Sequence, residues 1–155
     1  MNIGMVLVLF ILLVIVMSVS RSPDQEYKQR GNDIRINDVR RFDVYNQTAT
    51  HTLIAQEFTG AFATPFPILA DHNVPPGGST NFQVTTKSCG YYYCSGTATA
   101  SFNIYNPQGQ LIGAVLITMY IKETIWFSVT VNTTASASGV VVATTSGASA
   151  TILDR

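Results

Sequence analysis

An excess of charge of either sign is missing from this sequence: nine Lys and Arg balance nine Asp and Glu, for a formal net charge of zero. Without a basic surplus the chain has no electrostatic footprint for nucleic acid, and without a polybasic cluster it has none for anionic lipid. Cysteine is scarce, with Cys89 and Cys94 the whole thiol inventory. Their spacing excludes a CxxC redox site, and the lack of nearby ligands excludes zinc. A catalytic constellation is missing too. His51 among polar turn residues and His72 in a proline-rich loop read as surface histidines, and Asp71 beside His72 makes no acid–base pair without a nucleophile in reach. Ser95-Gly96-Thr97 is no nucleophile elbow, because no helix follows. The carboxylates Asp24, Glu26, Asp33, Asp38 and Asp43 are spread out rather than clustered for calcium, and no Gly-rich phosphate loop occurs. These absences predict a non-enzymatic binding or structural protein without cofactor or metal.

What is present begins with an apolar run from Ile3 to Met17, interrupted only by Gly4 and followed by Ser18-Val19-Ser20 and Arg21. It is shorter than the roughly 20 residues that span a bilayer, and its small residues suit cleavage after Ser20. Residues 1–20 are therefore expected to be a signal peptide and the protein to be secreted. The run has no Lys or Arg before it, so a retained anchor is the alternative. Residues 21–33 read as a flexible polar lead-in, and 34–155 as the folded domain. In an exported chain an even cysteine pair predicts a Cys89–Cys94 disulfide. Its loop is too short to give much chain-entropy stabilisation, so its main effect is to fix the shape of Gly90-Tyr91-Tyr92-Tyr93. Asn46-Gln47-Thr48 and Asn132-Thr133-Thr134 are glycosylation sequons.

Helical periodicity is hard to find after the leader, whereas period-two alternation recurs throughout. Ile34, Ile36, Val39, Phe42 and Val44 mark one or two strands with Arg35, Arg41, Asp43 and Tyr45 outward, and a slip near Asp38. Asn46 to Thr48 reads as a turn, 52–58 as the returning strand, and the proline-rich 59–78 as a long connection. A strand over 80–86 and a cleaner one over 97–105 follow, the latter burying Ala98, Ala100, Phe102 and Ile104. Asn106-Pro107-Gln108-Gly109 is a tight-turn signal. The near-continuous apolar run 111–121 predicts a central strand buried on both faces, with a turn at Lys122-Glu123. Trp126 then opens a strand with Phe127, Val129 and Val131 inward, and a final hairpin turns at Ser146-Gly147. Eight or so short strands with regular turns predict an all-β fold, a single antiparallel β-sandwich.

The remaining chemistry is aromatic. Tyr91, Tyr92 and Tyr93 cannot all face one side of a strand, so at least one is exposed, and Trp126 stands beside a turn. Such rings suit the membrane interface, where an apolar body meets a polar boundary.

Several segments in order resemble the aegerolysins, small β-sandwich lipid-binding proteins. They are Phe42-Asp43-Val44-Tyr45-Asn46, Val74-Pro75-Pro76-Gly77-Gly78, Ser88-Cys89-Gly90, Ser95-Gly96-Thr97 with Ser101-Phe102, and Gly147-Ala148. The resemblance covers about Arg41 to Leu153. It implies membrane-lipid binding, sphingolipid headgroups in particular, and in some members cytolysis with a larger pore-forming partner. The chain departs from the pattern at Tyr91, where the family carries Arg. It departs again over 119–126, where a Trp-Asp-Cys-Pro-Trp segment is replaced by one holding only Tyr120 and Trp126 as aromatics. The fold should carry over better than the lipid specificity. Tyr91, Tyr92, Tyr93, Tyr120 and Trp126 are the candidate lipid contacts. The alternatives are a secreted module binding carbohydrate or protein through the Tyr91–Tyr93 loop, and a self-assembling structural protein.

Overall fold

Alternation places one side of each strand in a shared apolar interior, and two sheets close over it. A computed structural model describes residues 38–155. The leader 1–20, the lead-in 21–33, Ile34 and Ile36 lie outside the described residues. The strands are β1 (Val39–Asn46), β2 (Thr52–Gly60), β3 (Ser79–Thr85), β4 (Ser88–Cys89), β5 (Tyr93–Tyr105), β6 (Leu111–Thr124), β7 (Val129–Gly139), β8 (Val141–Ser146) and β9 (Ser149–Asp154). One sheet has the order β3-β1-β9-β8 and the other β2-β5-β6-β7, with β4 beside the start of β5. The expected all-β sandwich is what forms. Among the described residues every strand pairing is antiparallel but one: β1 and β9 run parallel, with Val44 opposite Ala150.

Between the sheets lie Phe42, Val44, Leu53, Phe102, Ile104, Ile117, Met119, Ile121 and Ile152, all essentially without solvent contact. Phe58, Phe62, Phe82 and Phe102 form an aromatic cluster with ring centroids 5.0–6.4 Å apart. The connection after β2 is built into both sheets rather than looping free. Gly60, at φ +100°, turns the chain so that the Ala61 N–H donates to the Thr97 carbonyl of β5 at 2.8 Å. The Ala61 carbonyl accepts from Thr85 N–H of β3, also at 2.8 Å. Gly96 makes room for this crossing, since a Cβ there would stand 1.9 Å from the Thr85 carbonyl oxygen.

Two sequence expectations change here. The run 111–121 is not buried on both faces: Val115, Ile117, Met119 and Ile121 point inward, while Leu116 is exposed and Thr118 and Tyr120 are half-buried. A two-layer sandwich covers only one face of its sheet, and the apolar run overstates the burial. The strand also continues through Lys122-Glu123 to Thr124, so the turn lies later than the charged pair suggested.

Asn46 is a third departure. Its side chain is fully buried, and Nδ2 donates toward the carbonyls of His51 (2.7 Å), Val74 (3.0 Å) and Pro75 (3.0 Å). Its Oδ1 accepts from the Thr48 hydroxyl at 2.7 Å. The amide thus ties the end of β1 to the β1–β2 turn and to the loop before β3. A glycan on Nδ2 would displace these bonds and has no space in the folded domain, so the Asn46 sequon is corrected to a structural asparagine. Asn132 is exposed on β7 and keeps the expectation. Asn46→Ala should cost about 3 kcal/mol, because it strands buried carbonyls. Urea denaturation of the protein measures this, and a loss below about 1 kcal/mol would show the amide to be dispensable.

Candidate functional site

Five aromatic side chains stand on two neighbouring turns at one end of the larger sheet. The Cys89–Cys94 disulfide forms, joining residues that face each other across the β4–β5 ladder. Inside it the Gly90 N–H donates to the Tyr93 carbonyl at 2.8 Å, which closes a tight turn with Tyr91 and Tyr92 at its tip. Their rings meet edge to face, 4.7 Å between centroids. All three tyrosines are exposed, Tyr91 most of all at 81%. Tyr93 faces outward along β5 with the Lys122 ammonium 4.3 Å from its ring centroid, a cation–π contact.

Across the ladder, β6 and β7 are joined by Ile125-Trp126-Phe127. The Phe127 N–H donates to the Thr124 carbonyl at 2.9 Å, and Thr124 N–H to Ser128 at 3.0 Å. This is a three-residue hairpin whose last loop residue sits in the left-handed region, a place usually taken by glycine. Here it is Phe127, at φ +59°. Trp126 and Phe127 are 82% and 81% exposed, so Trp126 caps a turn rather than opening a strand, and Phe127 points to solvent rather than inward. Val129 and Val131 do pack against the core. A bulky residue at positive φ costs roughly 1–2 kcal/mol, and such strain concentrates where function holds it.

One hydrogen bond unites the two loops: Ile125 N–H donates to the Tyr92 carbonyl at 3.0 Å. Tyr91, Tyr92, Trp126 and Phe127 are therefore exposed on adjacent turns at one end of the sandwich. Lys122, opposite Ser95, and Lys87, whose N–H bonds the Ser95 carbonyl, stand just behind them. Tyr120 does not join this tip. It lies on the outer sheet face opposite Thr97 and Asn132, four residues along β6 from the rung where Tyr93 faces Thr124, about 13 Å away. Phe127 was missed because the sequence pattern continued the strand through it. Two adjacent large aromatics after a charged pair were the only signal available.

Beneath the tip, Glu123 pairs with Cys94 on one side and Val129 on the other, and it is 94% buried. Its Oε2 has no partner among the described residues. Burial pushes its carboxyl above the ordinary range, the Asp38 carboxylate adds to that, and the Arg40 guanidinium opposes it. His72 departs from the surface position expected of it. Its ring stacks on Phe82 at 4.5 Å, with Nδ1 2.7 Å from the Thr80 hydroxyl, and burial lowers its pKa against the raising effect of Asp71. His51 lies by the β1–β2 turn, its Nε2 3.5 Å from Asp154. Among the described residues no three His, Cys, Asp or Glu side chains stand close enough to hold a metal.

No protein-family model and no curated protein matches this chain.

The raised Glu123 pKa has a definite sign. The folded state holds this proton to higher pH than the unfolded chain does, so the stability it confers is complete below the ordinary glutamate value. That stability is lost as pH rises through the raised folded value. Glu123→Gln should therefore melt higher than the parent at pH 7, by a few degrees, and show no such gain at pH 4. Equal melting temperatures at pH 7 would mean that the buried carboxylate is compensated.

Proposed function

We propose that this protein is a secreted, non-enzymatic membrane-lipid-binding protein that docks by its aromatic tip. The observation that carries the reading is the Ile125–Tyr92 hydrogen bond, which joins two exposed aromatic turns into one projecting cluster. Monomeric proteins seldom expose several large rings together without a surface to receive them. Tyr and Trp at such a tip suit the boundary between headgroups and acyl chains, with Phe127 the deepest-seeking ring. If about half of each ring's ~200 Å² enters the interface, three rings contribute roughly 7 kcal/mol. That is the scale of micromolar association, before the cost of docking is subtracted. Lys87 and Lys122 behind the rings suit contact with headgroup phosphates.

The likeness to aegerolysins makes sphingolipid-containing bilayers the first choice of target, and a pore-forming protein the natural partner. The chain acts as the recognition component, because its long strands are locked into the core and none of those among the described residues is free to insert.

Co-sedimentation of the secreted chain with phosphatidylcholine vesicles, with and without sphingomyelin and cholesterol, tests this. Phe127→Gly separates tip chemistry from folding. Glycine relieves the left-handed backbone, so the variant should unfold about 1 kcal/mol later while its vesicle affinity falls about tenfold. Trp126→Ser with Tyr91→Ser should abolish pelleting. Parent protein that pellets with none of the vesicles, or tip variants that pellet like the parent, would overturn the reading.

A further inference from the structure

A second surface, separate from the tip, lies along the edge of the smaller sheet. Strand β3 is at the edge of its sheet. Asn46 N–H bonds Gly78 and Thr86 N–H bonds Asp38, so the even-numbered residues of β3 turn their backbone groups toward β1. The odd-numbered residues turn theirs outward. There the crossing segment covers the edge: Thr85 N–H donates to Ala61, and Ala63 N–H donates to Gln83 at 2.8 Å. Past Ala63 the chain swings away through Thr64-Pro65-Phe66-Pro67. The Gln83 N–H and both backbone groups of Asn81 are left without a partner among the described residues. The swing opens a cleft of about 310 Å³. Phe66, Asp71, His72, Asn81, Phe82 and Gln83 line it.

We propose that this cleft is a carbohydrate site taking one neutral pyranose residue of a glycan. Sugar hydroxyls donate and accept at once, and the cleft offers both functions. The outward backbone N–H groups and the Asn81 and Gln83 amides donate, while the Asp71 carboxylate and the Asn81 carbonyl accept. Phe66 supplies the apolar face that the C–H side of a pyranose needs. Its ring is held edge to face on Phe62 at 5.3 Å and remains half exposed. The lining holds no Lys or Arg and one carboxylate, which disfavours phosphates and acidic ligands. The volume is at the lower end for ligand pockets and suits a single ring. The floor is preformed, since His72 is fixed between Phe82, Phe58 and the Thr80 hydroxyl. A peptide strand adding to the β3 edge would use the backbone groups alone, and leave the amides, the carboxylate and the ring without a role.

The test is a titration of the full secreted chain with glucose, galactose, mannose and N-acetylglucosamine, read by amide NMR shifts, beside binding to a printed glycan array. At least one sugar should shift Asn81 and Gln83 with millimolar affinity. Phe66→Ala and Asp71→Asn should each weaken it about tenfold while the melting curve and vesicle binding stay as in the parent. Trp126→Ser, which removes the tip, should leave sugar binding unchanged, so that loss of either function is told apart from loss of the other. The proposal is overturned by no response to any sugar or glycan, or by binding that ignores both cleft substitutions. Displacement of the same amides by an extended peptide and not by sugars would overturn it as well, and make the edge a strand-addition site.

Discussion

The close approach at Gly96 is the constraint on which the rest of this sandwich depends. Ala61 bonds Thr97 in one sheet and Thr85 in the other, and the Thr85 carbonyl reaches so near to β5 that no side chain fits at position 96. This pins the end of β3 against the start of β5. Lys87 then bonds Ser95, and Ser88-Cys89 falls into register with Ser95 and Cys94. The tyrosine turn is thereby held at a fixed place beside the β6–β7 turn, and the Ile125–Tyr92 bond can form. Toward the other side, the same crossing segment covers the β3 edge as far as Gln83 and determines where the cleft begins.

The features that oppose stability gather at the tip end. Phe127 sits in a backbone region that suits glycine, five large rings face water, and Glu123 is buried directly behind them with an oxygen that has no partner among the described residues. Elsewhere local choices agree with the fold. Asn106 receives the N–H groups of Gln108 and Gln110 in its turn, and Gly109 takes the positive φ there. Asn73 accepts from Ala55 at the β2 edge, where Val74 also pairs with Leu53. Local conflict concentrated at one end of the described residues is the pattern expected of a site maintained for contact rather than for folding.

Much of the architecture was legible because alternation is a local property. Ala98 to Ile104, the Asn106–Gly109 turn and the closing hairpin at Ser146-Gly147 all lie where period and turn chemistry put them. The parts that were not legible depend on contacts remote in sequence. The parallel meeting of β1 with β9 leaves no local mark, and Asn46 reads as a polar turn residue until the carbonyls of Val74 and Pro75 close over it. The β6–β7 turn was misplaced for a different reason. It contains no Gly, Asn or Pro, so Ile125-Trp126-Phe127 continues the apolar pattern of a strand across a reversal of the chain. The tyrosine loop was identified as exposed, but its place beside Trp126 and Phe127 follows from the β5–β6 register, which runs to Tyr93 opposite Thr124 and which no spacing rule foretells.

The segments that resemble aegerolysins have structural explanations within this chain. Gly96 answers the close approach of Thr85, Phe102 fills the core, Asn46 satisfies buried carbonyls, and Gly147 takes the positive φ of the last turn. Each would be required of any sandwich with this crossing and these turns, whatever it binds. Similarity carried by such positions speaks to backbone geometry and says little about headgroup choice. Under the proposed function the residues that would choose a lipid are Tyr91, Tyr92, Trp126 and Phe127, and of these Tyr91 and Trp126 stand where the chain departs from the pattern. Recognition by this tip has therefore to be read from its own rings and their geometry, with the sandwich behind it serving to hold two turns in contact.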